Sequence, residues 1–312
     1  MKLAKAVAIY VRRKRAQGLH YAQAAAILGR FVRRVGDKHL NFIRESQISS
    51  FLANGSTAND NTWISRYRLI RAFLEYWRLR GQIKTLPLPP RRREIPRTFI
   101  PYIYTRTELQ RMFKATAFSC SGRRVNAIDS LTLRTLLLLI YGTGIQINEA
   151  LALLCVDVDL QGNFLTLRRV GKSRRIPIGR DVHRLLIDYM HLPVRKQHQN
   201  AVFFLTVGGG PIGYMAFYNP FRRLCRYAGI ARYDGGRYQP RIRDLRFSFA
   251  VHRLTSWYKQ GIDVERMLLP LSEYLGETGM NSMEKYLALT PDRFRKQLGK
   301  LRLDGVDLYK DS

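Results

Sequence analysis

The chain has 312 residues, 46% of them hydrophobic, with 54 Lys and Arg against 23 Asp and Glu and a formal net charge of +31. That length accommodates two domains, and the apolar share excludes a disordered basic tail. Residues 1–100 hold 21 basic and 5 acidic side chains, so the charge is spread over both halves and points both at one polyanion. Nucleic acid is the leading candidate, because Lys and Arg contacts release condensed counterions. An anionic membrane surface is the rival reading. Cys120, Cys155 and Cys225 are far apart and odd in number, without metal-ligand spacing, which fits a reduced interior. The N-terminal AVAIYV precedes RRKR, the reverse of a secretory signal, and LLLLIYG is too short to span a bilayer. The expectation is a cytoplasmic, nucleoid-associated protein that needs no membrane, metal or cofactor.

In chain order, helices are expected at about 2–17, 20–35 and 45–53. A turn at Asn54–Gly55–Ser56 leads into a long helix. There Trp63, Tyr67, Ile70, Leu74 and Trp77 form one apolar stripe, with Arg66, Arg68, Arg71, Arg78 and Arg80 on other faces. LPLPPRRREIPR, residues 86–97, carries four prolines and four arginines and reads as an extended, semi-rigid connector. A helix follows near Thr105, with Thr107 as its expected N-cap. LTLRTLLLLIYGTG is a buried helix ended by Gly142 and Gly144, and INEALALL continues helically. Alternating apolar residues flank Gln161–Gly162–Asn163 and Gly171–Lys172–Ser173, the pattern of a short antiparallel sheet with a basic turn. Helical patterns resume at 181–191, 214–228, 244–257 and 262–275. The fold class is mostly α (α+β). The expected boundaries are 1–85 for an N-terminal helical domain, 86–104 for the linker, 105–300 for the larger domain and 301–312 for a tail.

The stretch from Arg243 to Tyr286 carries the chemistry. RDLRFSFAVHRL sets Arg243 and Arg246 one helical turn apart, and EKYLAL places Tyr286 after a Gly-containing turn. An arginine fork can hold two oxygens of a phosphate, and a tyrosine hydroxyl can attack one. A TG-x-x-I-x-E turn, a hairpin with GK, a DLR-x-x-F-A helix start and an LG before a late Tyr occur in order along the chain. That string, behind a basic helical domain and a Pro/Arg linker, resembles the tyrosine recombinases, the phage-integrase family of DNA strand-exchange enzymes.

The resemblance implies a SAM-like helical core-binding domain followed by a catalytic domain with a small antiparallel sheet. It implies that Tyr286 is the nucleophile forming a 3′-phosphotyrosyl intermediate. Lys172 is then the general acid for the leaving 5′ oxygen, and Arg246 is a phosphate clamp. Three positions depart from the family pattern. Gln146 stands at the first arginine, Arg243 at a histidine and Glu277 at a His/Trp position. Losing one preorganised donor costs about 10²–10³ in rate, and Glu277 would repel the phosphate if it points inward. Chemistry that is greatly slowed or absent in the isolated protein is therefore expected. A catalytically impaired homologue serving as a DNA-binding accessory or structural subunit is the alternative. A generic basic nucleic-acid-binding protein is a third reading.

As partners the resemblance implies duplex DNA gripped by a C-shaped clamp, with Arg66, Arg68, Arg71, Arg91, Arg92 and Arg93 as candidate contacts. It also implies a tetramer on paired sites, with another recombinase as a further candidate partner; residues 291–303 are either a segment that packs on a neighbour or a solvated terminal helix.

Overall fold

A computed structural model describes residues 1–19, 21–53, 60–92, 101–119, 127–169, 172–233 and 239–277, and positions 283, 286, 287 and 289. Arg93, the 54–56 turn and the 291–303 segment lie outside the described residues. The chain divides into two units, Met1–Thr98 and Phe99–Ser312.

The first unit is helical: α1 (Leu3–Ala16), α2 (Ala22–Val35), α3 (Glu45–Ala53) and α4 (Asp60–Arg78). The stripe expected on α4 is buried in full, joined by Phe73 and by Ile48, Phe51 and Leu52 of α3. Leu86 and Leu88 pack against this same core, so the proline-rich segment begins as part of the first unit. Arg66 is half-buried, with its guanidinium carbon 5.8 Å from the centre of the Phe51 ring. Arg68 and Arg91 are exposed, Arg71 pairs with Glu75 at 2.9 Å, and Arg92 lies 4.8 Å from the Trp63 ring.

The second unit contains α5 (Arg106–Ser119), α6 (Ser130–Thr143), α7 (Ile147–Leu151), α8 (Arg180–Met190), α9 (Pro193–Lys196), α10 (Tyr214–Tyr227), α11 (Asp244–Lys259) and α12 (Val264–Leu275). Between α7 and α8 lies an antiparallel sheet in the order β1 (Val158–Asp159), β2 (Phe164–Arg169), β3 (Lys172–Pro177). The molecule is thus mostly α with one small sheet, the class read from the sequence. Among the described residues no helix is long and apolar enough to cross a membrane.

The N-cap of α5 is corrected to Thr105. Its hydroxyl accepts from the Glu108 N–H at 3.2 Å, and the Glu108 carboxylate accepts from the Thr105 N–H at 2.8 Å. This reciprocal capping box, T-x-x-E, satisfies two orphan donors and starts the helix at Arg106, ahead of Thr107.

Helix α6 forms the centre of the second unit, with Leu133, Leu136, Leu137, Leu139 and Ile140 all buried. Asp129 caps it by accepting from the backbone N–H groups of Leu131 and Thr132, both at 2.9 Å. It runs through Gly142 and ends at Gly144, whose φ of +65° needs a residue without a Cβ. A Cβ there would lie 2.4 Å from Phe249 Cδ1 and 2.9 Å from Leu275 Cδ2, so the end of α6 touches α11 and α12 directly. A second cluster within this unit is built from Phe247, Phe249, Ala250 and Leu254 of α11, Leu268, Leu271 and Leu275 of α12, and Met283, Tyr286 and Leu287.

Candidate active site

Helix α11 is anchored at its start by buried polar contacts. The Asp244 carboxylate accepts from the Arg241 N–H at 2.9 Å and from its guanidinium at 3.0 Å. The Ser248 hydroxyl donates to the Asp244 carbonyl at 2.9 Å and accepts from the Tyr104 N–H at 2.8 Å. With that turn fixed, Arg246 points inward and is only 4% exposed.

Its guanidinium is held on two sides. Nη1 donates to the Gly144 carbonyl at 2.9 Å, and Nη2 donates to the Leu275 carbonyl at 2.8 Å. These are the C-terminal ends of α6 and α12, where helices leave carbonyls without intrahelical partners. The remaining edge meets side chains: Nη2 donates to Glu277 Oε1 at 2.8 Å, and Nε donates to the Tyr286 hydroxyl at 3.3 Å. Tyr286 in turn donates to the same Glu277 oxygen at 2.8 Å. Arg246, Glu277 and Tyr286 therefore close a three-membered ring of hydrogen bonds.

The Tyr286 ring is 1% exposed and packs 5.1 Å from the Phe247 ring, centre to centre. Burial pushes its phenol up to about 12. Arg246 opposes that rise and Glu277 adds to it. Burial works against the charge on Arg246, but Tyr286 and Glu277 outweigh it and raise its pKa.

A second arginine backs the ring. Arg174 of β3 makes a bidentate pair with Glu149 of α7, at 2.6 and 2.9 Å, and donates to the Tyr274 carbonyl at 3.1 Å. It lies so close to the backbone before Glu277 that a Cβ on Gly276 would be 2.8 Å from its Cζ. Burial alone would raise the Glu149 carboxyl, but Arg174, the Gln146 N–H and the charge of Arg246 hold it below its ordinary range. The sheet, the start of α7 and the end of α12 are thus tied together immediately behind Arg246. The sequence reading missed Arg174. Its signal is strand alternation, since it shares parity with Ile176, which is 1% exposed, while Ser173 and Arg175 are exposed.

The expected site residues are therefore only partly gathered. Arg246, Glu277 and Tyr286 meet. Glu277 points inward, with its side chain 16% exposed. Gln146 is half-buried at the start of α7, two residues beyond Gly144, with its N–H donated to Glu149 at 2.8 Å. Arg243 stands exposed in the turn before α11, apart from the ring. The Lys172 backbone opens β3 and pairs with Arg169, whereas its side chain lies outside what the structure describes. Among the described residues no group of three or more His, Cys, Asp or Glu is placed to hold a metal ion.

The ring sets one carboxylate oxygen between a guanidinium and a phenol. The Glu277 oxygen lies at hydrogen-bond distance from both the guanidinium and the phenol.

The phage integrase family profile matches residues 105–293. The chain is 30% identical over 257 residues to a candidate integrase/recombinase of Sinorhizobium fredii, y4rB, covering 79% of this chain and 80% of that one. It is 27% identical to y4rE of the same organism, covering 97% of each. Among solved structures, a lambda integrase (75–356) dimer bound to a COC′ core site superposes with a TM-score of 0.64, at 13% identity, over 92% of this chain and 95% of that one. The Tn1549 transposon integrase in complex with circular intermediate DNA gives 0.65, at 15% identity, over 96% and 99%.

Proposed function

From the membership of this chain in the phage integrase family, we propose that it binds duplex DNA and breaks and rejoins it through a 3′-phosphotyrosyl link to Tyr286. The observation that carries this reading is the convergence of the buried Arg246 guanidinium on the Tyr286 hydroxyl at 3.3 Å. A tyrosine with its phenol pushed up to about 12 is a poor nucleophile unless the phosphate is neutralised and the proton removed. Arg246 supplies the first need, since its two backbone carbonyl partners fix the fork before substrate arrives, so little reorganisation is required.

In the reaction, Arg246 holds the scissile phosphate and Lys172 gives a proton to the leaving 5′ oxygen. Gln146 brings no charge where the family pattern has an arginine, and Arg243 begins outside the cluster. Cleavage by the isolated protein is therefore slow. Residues 1–85 are the core DNA-binding domain, and the linker 86–104 starts seated on its core through Leu86 and Leu88; 105–300 are the catalytic domain and 301–312 the tail. Arg66, Arg68, Arg71, Arg91, Arg92 and Arg93 contact phosphates, which position the duplex without reading its sequence. The assembly on paired sites is a tetramer.

The test begins by selecting a binding duplex from a randomised library with the protein itself. Nicked versions of that duplex, with the nick moved stepwise, then trap any covalent product. A product formed by the wild type and lost in Tyr286→Phe supports the reading. Tight binding without product, at every nick position and also in Gln146→Arg, would instead assign the chain a DNA-binding role without cleavage.

A further inference from the structure

We propose that Glu277 is the proton acceptor for Tyr286, so that this catalytic centre uses a carboxylate base at the nucleophile. The inference rests on the cleavage reading given above and identifies where the tyrosine proton goes. Its geometric basis is the Tyr286 hydroxyl, which already donates to Glu277 Oε1 at 2.8 Å, inside the reach a general base requires. The Glu277 side chain is 16% exposed and pairs with Arg246 at 2.8 Å. Among the described residues, the other titratable or charged groups around it are Arg246 from α11, Tyr286, and Arg174 from β3, which lies against Gly276 with Glu149 of α7 behind it.

The step balances as follows. The Tyr286 Oη–H bond breaks, its electron pair forms the Oη–P bond, and the proton passes to Glu277 Oε1. The bond from phosphorus to the 5′ oxygen breaks, its pair leaves on that oxygen, and Lys172 supplies the proton taken up there. Rejoining runs the same transfers in reverse. Proton transfer to Glu277 changes its charge between the ground state and the transition state. In the ground state the Glu277 carboxylate competes with the phosphate for Arg246. As the proton arrives, Glu277 becomes neutral and releases Nη2, at the moment the phosphorane gains a second negative charge. The repulsion that weakens substrate binding is thus removed in the transition state, where the guanidinium is most needed.

The experiment uses the full-length protein and the selected duplex, nicked near the scissile position. Cleavage is timed on an ordinary substrate and on one whose 5′ bridging oxygen is sulfur. The thiolate leaves without a proton, so the second substrate isolates deprotonation of the tyrosine. The expected result is that Glu277→Gln slows both substrates by about 10²–10⁴-fold. Lys172→Ala should slow only the first. The wild-type pH–rate profile should have an acid limb that Glu277→Gln lacks and that Glu277→His moves toward a histidine's ordinary pKa of about 6.5. A Glu277→Gln protein that binds the duplex and cleaves the sulfur substrate as fast as wild type, or faster, would overturn the proposal and make Glu277 only a competitor of the phosphate. A wild type that binds but forms no product on either substrate would overturn this role together with the cleavage reading.

Discussion

Replacing Arg246 by Met tests whether the guanidinium holds the fold as well as any phosphate. The substitution keeps most of the apolar volume and removes four hydrogen bonds, to the carbonyls of Gly144 and Leu275, to Glu277 and to the Tyr286 hydroxyl. Each buried acceptor left without a donor costs ~1–3 kcal/mol, and breaking a buried ion pair from one side costs ~3–5 kcal/mol. These losses overlap, and water can reach the 16% exposed Glu277 side chain, so the net expectation sits near the lower end, about 3 kcal/mol. For a unit of this size that is a fall of roughly 6–12 °C in melting temperature. Calorimetry of the full-length protein should show the loss in the transition of the second unit and leave the first unchanged. Adding Glu277→Leu to Arg246→Met should recover roughly 1–2 kcal/mol, because it removes the stranded carboxylate. A cost below about 1 kcal/mol, or a further loss in the double variant, would refute the reasoning that Arg246 is a buried structural tie.

The Glu149–Arg174 pair gives a pH dependence of defined sign. The folded-state pKa of Glu149 is lowered, so its stabilisation is complete above the ordinary carboxylate range and is lost as pH falls through the lowered value. Melting temperature between pH 6 and 3 should fall more steeply in wild type than in Glu149→Gln. Gly144→Ala places a Cβ 2.4 Å from Phe249 Cδ1 at a φ of +65°, and should cost ~1–3 kcal/mol in urea unfolding. Asp129→Ala removes the α6 cap and should cost about 1 kcal/mol by the same measurement. Affinity for the selected duplex should fall linearly on a log–log plot against salt, and each of Arg68→Ala and Arg91→Ala should lower the slope by about 1.

Much of the architecture was legible because its signals are local. The stripe from Trp63 to Trp77 fixed α4, and the alternation around Gly162 and Lys172 marked the sheet. The start of α5 misled because two threonines, Thr105 and Thr107, are both acceptable caps by type. Only the position of Glu108 three residues after Thr105 distinguishes them, through the reciprocal bond it makes. The site was less legible. The direction of Glu277 depends on Arg246, 31 residues earlier in sequence, reaching past the ends of α6 and α12. No periodicity around Glu277 encodes that approach. Arg174 was readable in principle from the parity it shares with Ile176, but its partner Glu149 lies on another element, and a basic hairpin reads first as solvent-facing. Arg243 is read into the site from the histidine place of the family pattern, and it stands exposed at the start of α11.

Of the 17 tyrosines, Tyr286 is the one proposed to form the covalent bond to DNA. The most direct measurement is mass spectrometry of the trapped protein–DNA product after digestion of both components. The expected result is one modified peptide, carrying a 3′-nucleotide on the Tyr286 hydroxyl and absent from Tyr286→Phe. A nucleotide on any other residue, or the same adduct yield in Tyr286→Phe, would contradict it.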